Sequence, residues 1–477
     1  MVRLLELSVL FLLFIFLGLS LNYSFFPNVS SYDGRRLIEL LIATAGLAWV
    51  LLGGLNNHPP STVCQLRWRV VGYSILVVAV LSAISAASPR HAFLEINVFV
   101  GLFYLSLLMA KAWHDHQNTL VVLIVSIISL GAVLYMIGFF TGYLASFLEE
   151  IPLVWPEPFF MLSNVRQFNQ YQLWTLGLLC LPLLVPGWIK PKYKAGVFCL
   201  LSAWWVLLFA STSRGVLLAW LLSMFITWWA YRRQAKAFLL LQLKCFSYGF
   251  LAYQLLFIWL PKLNAGGGSV VAQTVLRSET NDRIYLWTHA WHMIESHPWL
   301  GVGPMHFAWY PNAIAAHPHN SVVQLACEWG LPATGLIIFT LGYGLFMWLK
   351  RFNASTLTAA PESEQVLILA LFFTSVASGF YSLVDGVIVM PLSQVMMAVV
   401  LGLMIGLYQQ NDPPTALNPL NDIAHRMFAA VTLVVMVWSV LPELLPNILG
   451  DFEMIPMGYQ VIGPRFWQEG GIPHSEI

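Results

Sequence analysis

Two residue types in this sequence are placed where they could do chemistry. Six of its twelve histidines, His289, His292, His297, His306, His317 and His319, fall between positions 289 and 319. Histidine changes charge near neutral pH, so such a cluster can pass protons or ligate a metal. His289 and His292, three apart on a helix, with His317 and His319 after them, admit a metal site. Yet no H-E-x-x-H, paired carboxylates or Cys/His ligand spacing accompanies them. The other reading is acid–base chemistry by one histidine, with arginines gripping a phosphorylated substrate through their bidentate forks.

The elements that must hold these residues follow from composition. Of 477 residues, 58% are hydrophobic and only 9% charged, with a net charge of +1. A soluble protein carries charge on about a quarter of its residues. That excludes a soluble enzyme, a disordered chain and a nucleic-acid binder, which would need a basic field. Apolar runs of about 18–22 residues suit helices crossing ~30 Å of hydrocarbon. They lie near 4–21, 37–55, 69–88, 92–110, 119–140, 171–189, 195–210, 215–231, 237–260, 321–349, 365–384, 389–408 and 427–445, which makes thirteen. No small-residue cleavage site follows Leu21, so the first run reads as a span rather than a signal peptide.

Placing the N-terminus inside leaves thirteen Lys and Arg at the inner ends and nine at the outer, as the positive-inside rule prefers. The outer nine are eight Arg and one Lys. The five cysteines lie in or near spans or in an inner loop, without an outer pair to form a disulfide, and read as small packing residues. The chain divides into N-terminal membrane helices (1–260), a loop (261–320), C-terminal membrane helices (321–445) and a short tail (446–477). The loop opens on Pro261 and the flexible Gly266-Gly267-Gly268-Ser269. Asn281 then caps an expected helix in which Ile284, Trp287, Trp291 and Ile294 recur at helical spacing before His297-Pro298. That helix lies flat on the outer interface or packs as a buried element.

Three motifs follow one another on the outer face. Arg214-Gly215-Val216-Leu217-Leu218 fits R-x3-L at the start of a span. Arg283-Ile284-Tyr285-Leu286-Trp287 leads into His297-Pro298-Trp299-Leu300-Gly301-Val302-Gly303. His319-Asn320, nine residues, then Gly330 fits H-[NSQ]-x9-G-x-x-[GTY], except that Ala333 holds the last position and Thr334 comes one late. Together they resemble the O-antigen ligase and polymerase superfamily, which includes bacterial protein O-oligosaccharyltransferases. The resemblance is sharpest over 205–335. It implies an all-α polytopic integral membrane protein of the bacterial inner membrane, GT-C-like, with about thirteen transmembrane helices and one large periplasmic loop carrying short helices. It also implies transfer of a glycan from undecaprenyl diphosphate to an acceptor at the periplasmic face, without a cofactor. In that reaction His319 is the base for the acceptor hydroxyl, and Arg214 and Arg283 neutralise the departing diphosphate without a metal. No D-x-D motif lies in a loop, in keeping with a lipid-linked donor.

Further residues are candidates for substrate contact. Ser163 to Gln170 resembles the Asn/Gln-rich motif of the protein-glycosylating branch, with Phe168 where Pro is expected. There Arg166 meets phosphate and Gln167 and Asn169 meet glycan, unless they cap and solvate the helix start. Asn320 orients the imidazole, contacts sugar or caps a helix. Arg36, beside Arg35, is an outer anchor or a second phosphate contact. Tyr381 stands where the family has histidine in Tyr381-Ser382-Leu383, and Asp385 pairs with an outer arginine. His317 precedes Pro318, so it is held extended with its ring turned from His319, within reach of substrate. The acceptor is expected to be a protein Ser/Thr, as in type IV pilin; the alternatives are lipid A-core, a growing O-antigen, or transport of the lipid-linked glycan without chemistry.

Overall fold

A computed structural model describes residues 2–26, 29–55, 66–151, 153–263, 281–310, 312, 314–412, 418–449 and 465–467. The Gly266–Ser269 segment, Arg277, Cys64 and most of the 446–477 tail lie outside the described residues, as do the side chains of Asn281 and Arg67.

The regular elements among the described residues are all helical. Its long helices are α1 (Val2–Leu19), α2 (Ser31–Leu51), α3 (Leu66–Ser85), α4 (Pro89–Leu148), α5 (Val165–Leu176), α6 (Lys194–Ala210), α7 (Arg214–Tyr231) and α8 (Lys236–Tyr253). After them come α9 (Asn281–Ser296), α10 (Ser321–Arg351), α11 (Glu362–Tyr381), α12 (Pro391–Gln409) and α13 (Pro419–Leu449). Among the described residues nine helical stretches are long and apolar enough to cross a membrane, and Leu5–Leu19 is a shorter apolar helix. The chain is a multi-pass membrane protein. Large apolar side chains such as Phe11, Phe225, Trp229 and Phe346 point outward, which costs little where the surroundings are hydrocarbon.

The 60-residue α4 is two helices, broken at Gln117, whose φ is 31°. Near that break Lys111 pairs with Glu6 of α1 and with Asp115, each at 2.9 Å, and Glu6 accepts from the Trp49 indole at the end of α2. Elsewhere Arg351 at the end of α10 meets Asp412 at 3.0 Å, and Gln410 donates to Glu364 in the first turn of α11. Helix starts thus meet helix ends, as in an up-and-down bundle. Small residues let the helices close: a Cβ on Gly101 of α4 would stand 2.7 Å from the Ala43 methyl of α2.

Helix α5 departs from this apolar pattern. In it Gln167, Asn169, Gln170, Gln172 and Thr175 are all buried, and each can stay only by finding a partner. Gln172 donates to the Trp204 carbonyl at 2.7 Å, and the Trp174 indole donates to Ser393 at 2.9 Å. The Gln170 carboxamide donates at 3.1 Å to Asp385, which faces His319.

Helix α9 is amphipathic, but its buried side is Leu286, Ala290, Met293 and Ile294. Ile284, Trp287 and Trp291 are exposed. The recurrence expected from sequence therefore marks mostly the outward face of α9, because Trp and Ile fit a lipid boundary as well as a core.

Candidate functional site

Asn320 ends the loop and begins α10, its carboxamide oxygen accepting from the Val322 and Val323 N–H groups at 3.0 and 3.1 Å. This is an N-cap, so of the roles open to Asn320 the structure supplies capping. His319, immediately before it, takes a left-handed φ of 51°, rare for a residue with a Cβ. Such strain is found where the surroundings over-determine a side chain's direction. Here the turn sends the imidazole toward Asp385.

Asp385 lies just past the end of α11, almost wholly buried. It accepts from the Tyr381 hydroxyl at 2.5 Å, the Gly386 N–H at 2.6 Å and the Gln170 carboxamide at 3.1 Å. His319 Nδ1 stands 3.7 Å from its Oδ1, an ion-pair distance with room to close. Burial by itself would raise the Asp385 carboxyl; His319, the Tyr381 hydroxyl and the Gly386 N–H instead hold it down at about 2. The expected pairing of Asp385 with an arginine is therefore corrected. Packing of α11 against α5 and the start of α10 delivers it to a histidine. The His319 side chain is 23% exposed, and among the described residues its Nε2 has no hydrogen-bond partner. A half-open imidazole backed by a buried carboxylate can take a proton from a hydroxyl and be stabilised as the cation.

His317 also departs from expectation. Its ring lies T-shaped to that of His319, centroids 4.2 Å apart, and its Nδ1 accepts the His319 N–H at 3.3 Å. The positive φ at His319 folds the segment back, overriding the extended bias before Pro318. Gly386 must lack a side chain here, since a Cβ would stand 2.5 Å from the His317 ring. Burial pushes His317 well below the usual histidine range; His319 and Arg465 add to this against the pull of Asp385. His317 is thus neutral when folded, whereas the unfolded chain protonates it near pH ~6.5. Below that pH the unfolded chain holds the extra proton, so stability is lost as pH falls. The apparent melting temperature in detergent should decline from about pH 6.5 downward, with the slope flattened in His317→Gln. An unchanged slope in that variant would place the titration elsewhere.

The arginines sit in first turns of helices. Arg166 follows the N-cap Asn164 of α5, and it reaches the Ser211 carbonyl at 3.2 Å and Asn169 at 3.4 Å beside the Trp155 ring. Arg214 opens α7 and is exposed. Its neighbour Gly215 is so close to Tyr381 that a Cβ would stand 3.2 Å from the ring, and Ser213 meets the Tyr381 hydroxyl at 3.4 Å. Arg283 opens α9. One turn on, the Trp287 indole donates to the Pro318 carbonyl at 2.9 Å, bringing that face of α9 to the residue before His319. Among the described residues neither Arg214 nor Arg283 has a hydrogen-bond or ion-pair partner. Free guanidinium groups at helix N-termini, where the backbone dipole is also positive, suit an anion.

Other expected contacts are engaged within the protein. Arg36 is buried against Glu39 and Gln394, both at 2.6 Å, with Tyr32 and the Val389 carbonyl. Gln167 accepts from Arg35 at 3.1 Å and donates to Ser163 at 2.7 Å; Asn169 donates to Ser211 at 2.7 Å. Tyr381 is buried as well, holding Asp385. Gln170 reaches the site instead, although nothing in the spacing of the Asn/Gln run sets it apart. Two motif glycines prove to be one joint. Gly330 breaks α10 with φ 82°, and a Cβ there would stand 2.2 Å from the Trp299 carbonyl. Gly301, φ 66°, lies equally close to the Glu328 carbonyl. The 298–303 loop is thereby bonded to α10, with Leu331 N donating to Pro298 O at 2.9 Å and Val302 N to Cys327 O at 2.8 Å. Among the described residues no group of three His, Cys, Asp or Glu is arranged to hold a metal ion.

Residues 197–339 match a family model described as O-antigen ligase. The match takes in Arg214, Arg283 and His319 and leaves out Arg166, Tyr381 and Asp385. No curated protein matches the chain.

Proposed function

We propose that this protein is a glycosyltransferase that moves a glycan en bloc from undecaprenyl diphosphate to an acceptor hydroxyl at the periplasmic face of the bacterial inner membrane. The observation that carries the reading is the half-open His319, backed by ionised Asp385, at the end of the bundle where Arg166, Arg214 and Arg283 begin their helices. The family match over the segment bearing three of these residues supports it. In this reading α4 makes two crossings and α1, α2 and α5 one each, beside the described helices that are long and apolar enough to span, so that the chain would alternate through thirteen crossings. The starts of α5, α7 and α10 then share one side with the end of α11.

His319 Nε2 takes the proton as the acceptor oxygen attacks the anomeric carbon. The bond from that carbon to the lipid diphosphate breaks, and the diphosphate leaves as an anion. Asp385 offsets the imidazolium that forms, and the arginines neutralise the leaving group without a metal. Asp385→Asn keeps the shape but removes that charge. Because the contact is long, its expected cost is toward the low end for a charged partner, about tenfold in kcat (~1.5 kcal/mol), with donor KM little changed. A wild-type kcat would remove Asp385 from the chemistry.

The acceptor we favour is a protein Ser/Thr, as on type IV pilin. The second reading, transfer to lipid A-core, is favoured by the description of the matching family model. Reconstituting the chain with a lipid-linked glycan, pilin and lipid A-core decides between them by which one gains sugar. Lengthening of the lipid-linked glycan would mean a polymerase. Movement of the donor across the bilayer with no new glycosidic bond would overturn the transferase reading.

A further inference from the structure

Away from His319, a second cluster of buried charge surrounds Arg465. Its guanidinium bonds both oxygens of Glu328 on α10, Nη2 at 2.8 Å from Oε2, and also reaches Glu95 on α4. All three side chains are buried. Two carboxylates at one cation are tolerable in a dry interior only with close, well-bonded geometry, and the guanidinium fork supplies it. The segment is fixed on either side. The Arg465 carbonyl accepts from the Tyr32 hydroxyl of α2 at 3.0 Å. The Phe466 ring lies 4.9 Å from the Arg36 guanidinium, and the Trp467 indole donates to Glu443 of α13 at 2.8 Å.

Two of these partners belong to the frame of the His319 site. Glu328 lies on the stretch of α10 that His319 and its cap begin; its carboxylate accepts the Phe307 N–H at 2.9 Å and Gln324 at 3.3 Å. Its carbonyl accepts from Gly303 N and the Ser82 hydroxyl, both at 3.0 Å. Arg36, stacked on Phe466, bonds the Val389 carbonyl in the turn that starts with Asp385. The clasp therefore touches the segment bearing the histidine and the segment bearing its carboxylate. We propose that Arg465 is a positioning residue, and that Arg465-Phe466-Trp467 clamps the start of α10 and the turn after α11 in the single arrangement that keeps His319 facing Asp385. The charge of Arg465 is also felt at His317, so the clamp lies within electrostatic reach of the pair.

The proposal rests on His319 acting as the base of the transfer, and its test separates the two. The full-length protein in nanodiscs is assayed for transfer kinetics, melting and backbone hydrogen exchange. Arg465→Met leaves Glu95 and Glu328 unpaired and should lower both melting temperature and kcat. Arg465→Lys keeps the charge without the fork and should fall between. The deciding variant is Arg465→Met with Glu95→Gln and Glu328→Gln, in which no carboxylate is left uncompensated. Its melting temperature should recover while kcat stays about tenfold low or worse, because a misplacement of ~1 Å at a catalytic group can cost ~10²-fold; donor KM should stay near wild type. Recovery of kcat together with stability would reduce Arg465 to charge balance in folding and overturn the proposal. If the wild-type protein shows no transfer, the function reading fails, and exchange decides the clamp. Amides of 301–307 and of the first turns of α10 should exchange faster in the triple variant, and unchanged exchange would sink it.

Discussion

His319→Ala should all but abolish transfer while leaving lipid-linked donor binding nearly intact. Loss of a general base costs about 10²–10⁴-fold, and a neutral sugar or serine hydroxyl is a poor enough nucleophile to place the effect near the upper end. The structure sharpens the expectation. Nε2 of His319 is unpartnered among the described residues while Nδ1 faces ionised Asp385, so Nε2 is the nitrogen open to the acceptor's proton. His317→Ala is a demanding companion, since the two rings touch. Removing His317 leaves a void beneath the base and should reduce kcat less than removal of His319. Full activity in His319→Ala with none in His317→Ala would put the base on the wrong histidine. Equal loss in both would point to a paired site, unless melting shows that both variants unfold.

Arg214→Lys and Arg283→Lys should each lose most of the activity although the charge is kept. Among the described residues neither guanidinium has a hydrogen-bond or ion-pair partner, which leaves each available to hold two phosphate oxygens in a fork that an ammonium cannot reproduce. Removing one donor from a site that stabilises developing charge costs about 10²–10³-fold; a lysine, which keeps the point charge, should fall near the lower figure. The loss should appear in kcat more than in donor KM if the arginines act chiefly on the diphosphate as it departs. Near-normal turnover in both variants would mean that they only anchor their helices. Arg36→Lys is an informative contrast. Arg36 bonds Glu39, Gln394 and Tyr32 inside the bundle, so its substitution should lower the melting temperature.

The sequence by itself determined that this chain lies in a membrane, since 9% charge cannot solvate it. Its run lengths set out the helices, and the motif spacings picked out Arg214, Arg283 and His319. Those properties are local: a helix is written in consecutive residues, and a motif in fixed offsets along one segment. Pairing across helices is not local. Asp385 and Gln170 reach His319 only because α11 and α5 pack beside the start of α10. Periodicity cannot say which of several polar residues near a helix end will turn inward. For the same reason Gln167, Asn169 and Arg36 read as equally good surface contacts, and tertiary packing buried them against Arg35, Ser211 and Glu39. Arg465 is the extreme case. In sequence it is one basic residue of an apparently exposed tail, and only the meeting of α4 and α10 supplies the two carboxylates that draw it into the interior. In a chain with so few charges, where each one ends up is settled by which opposite charge the fold brings within reach, because an unpaired ion cannot remain in a low-dielectric interior.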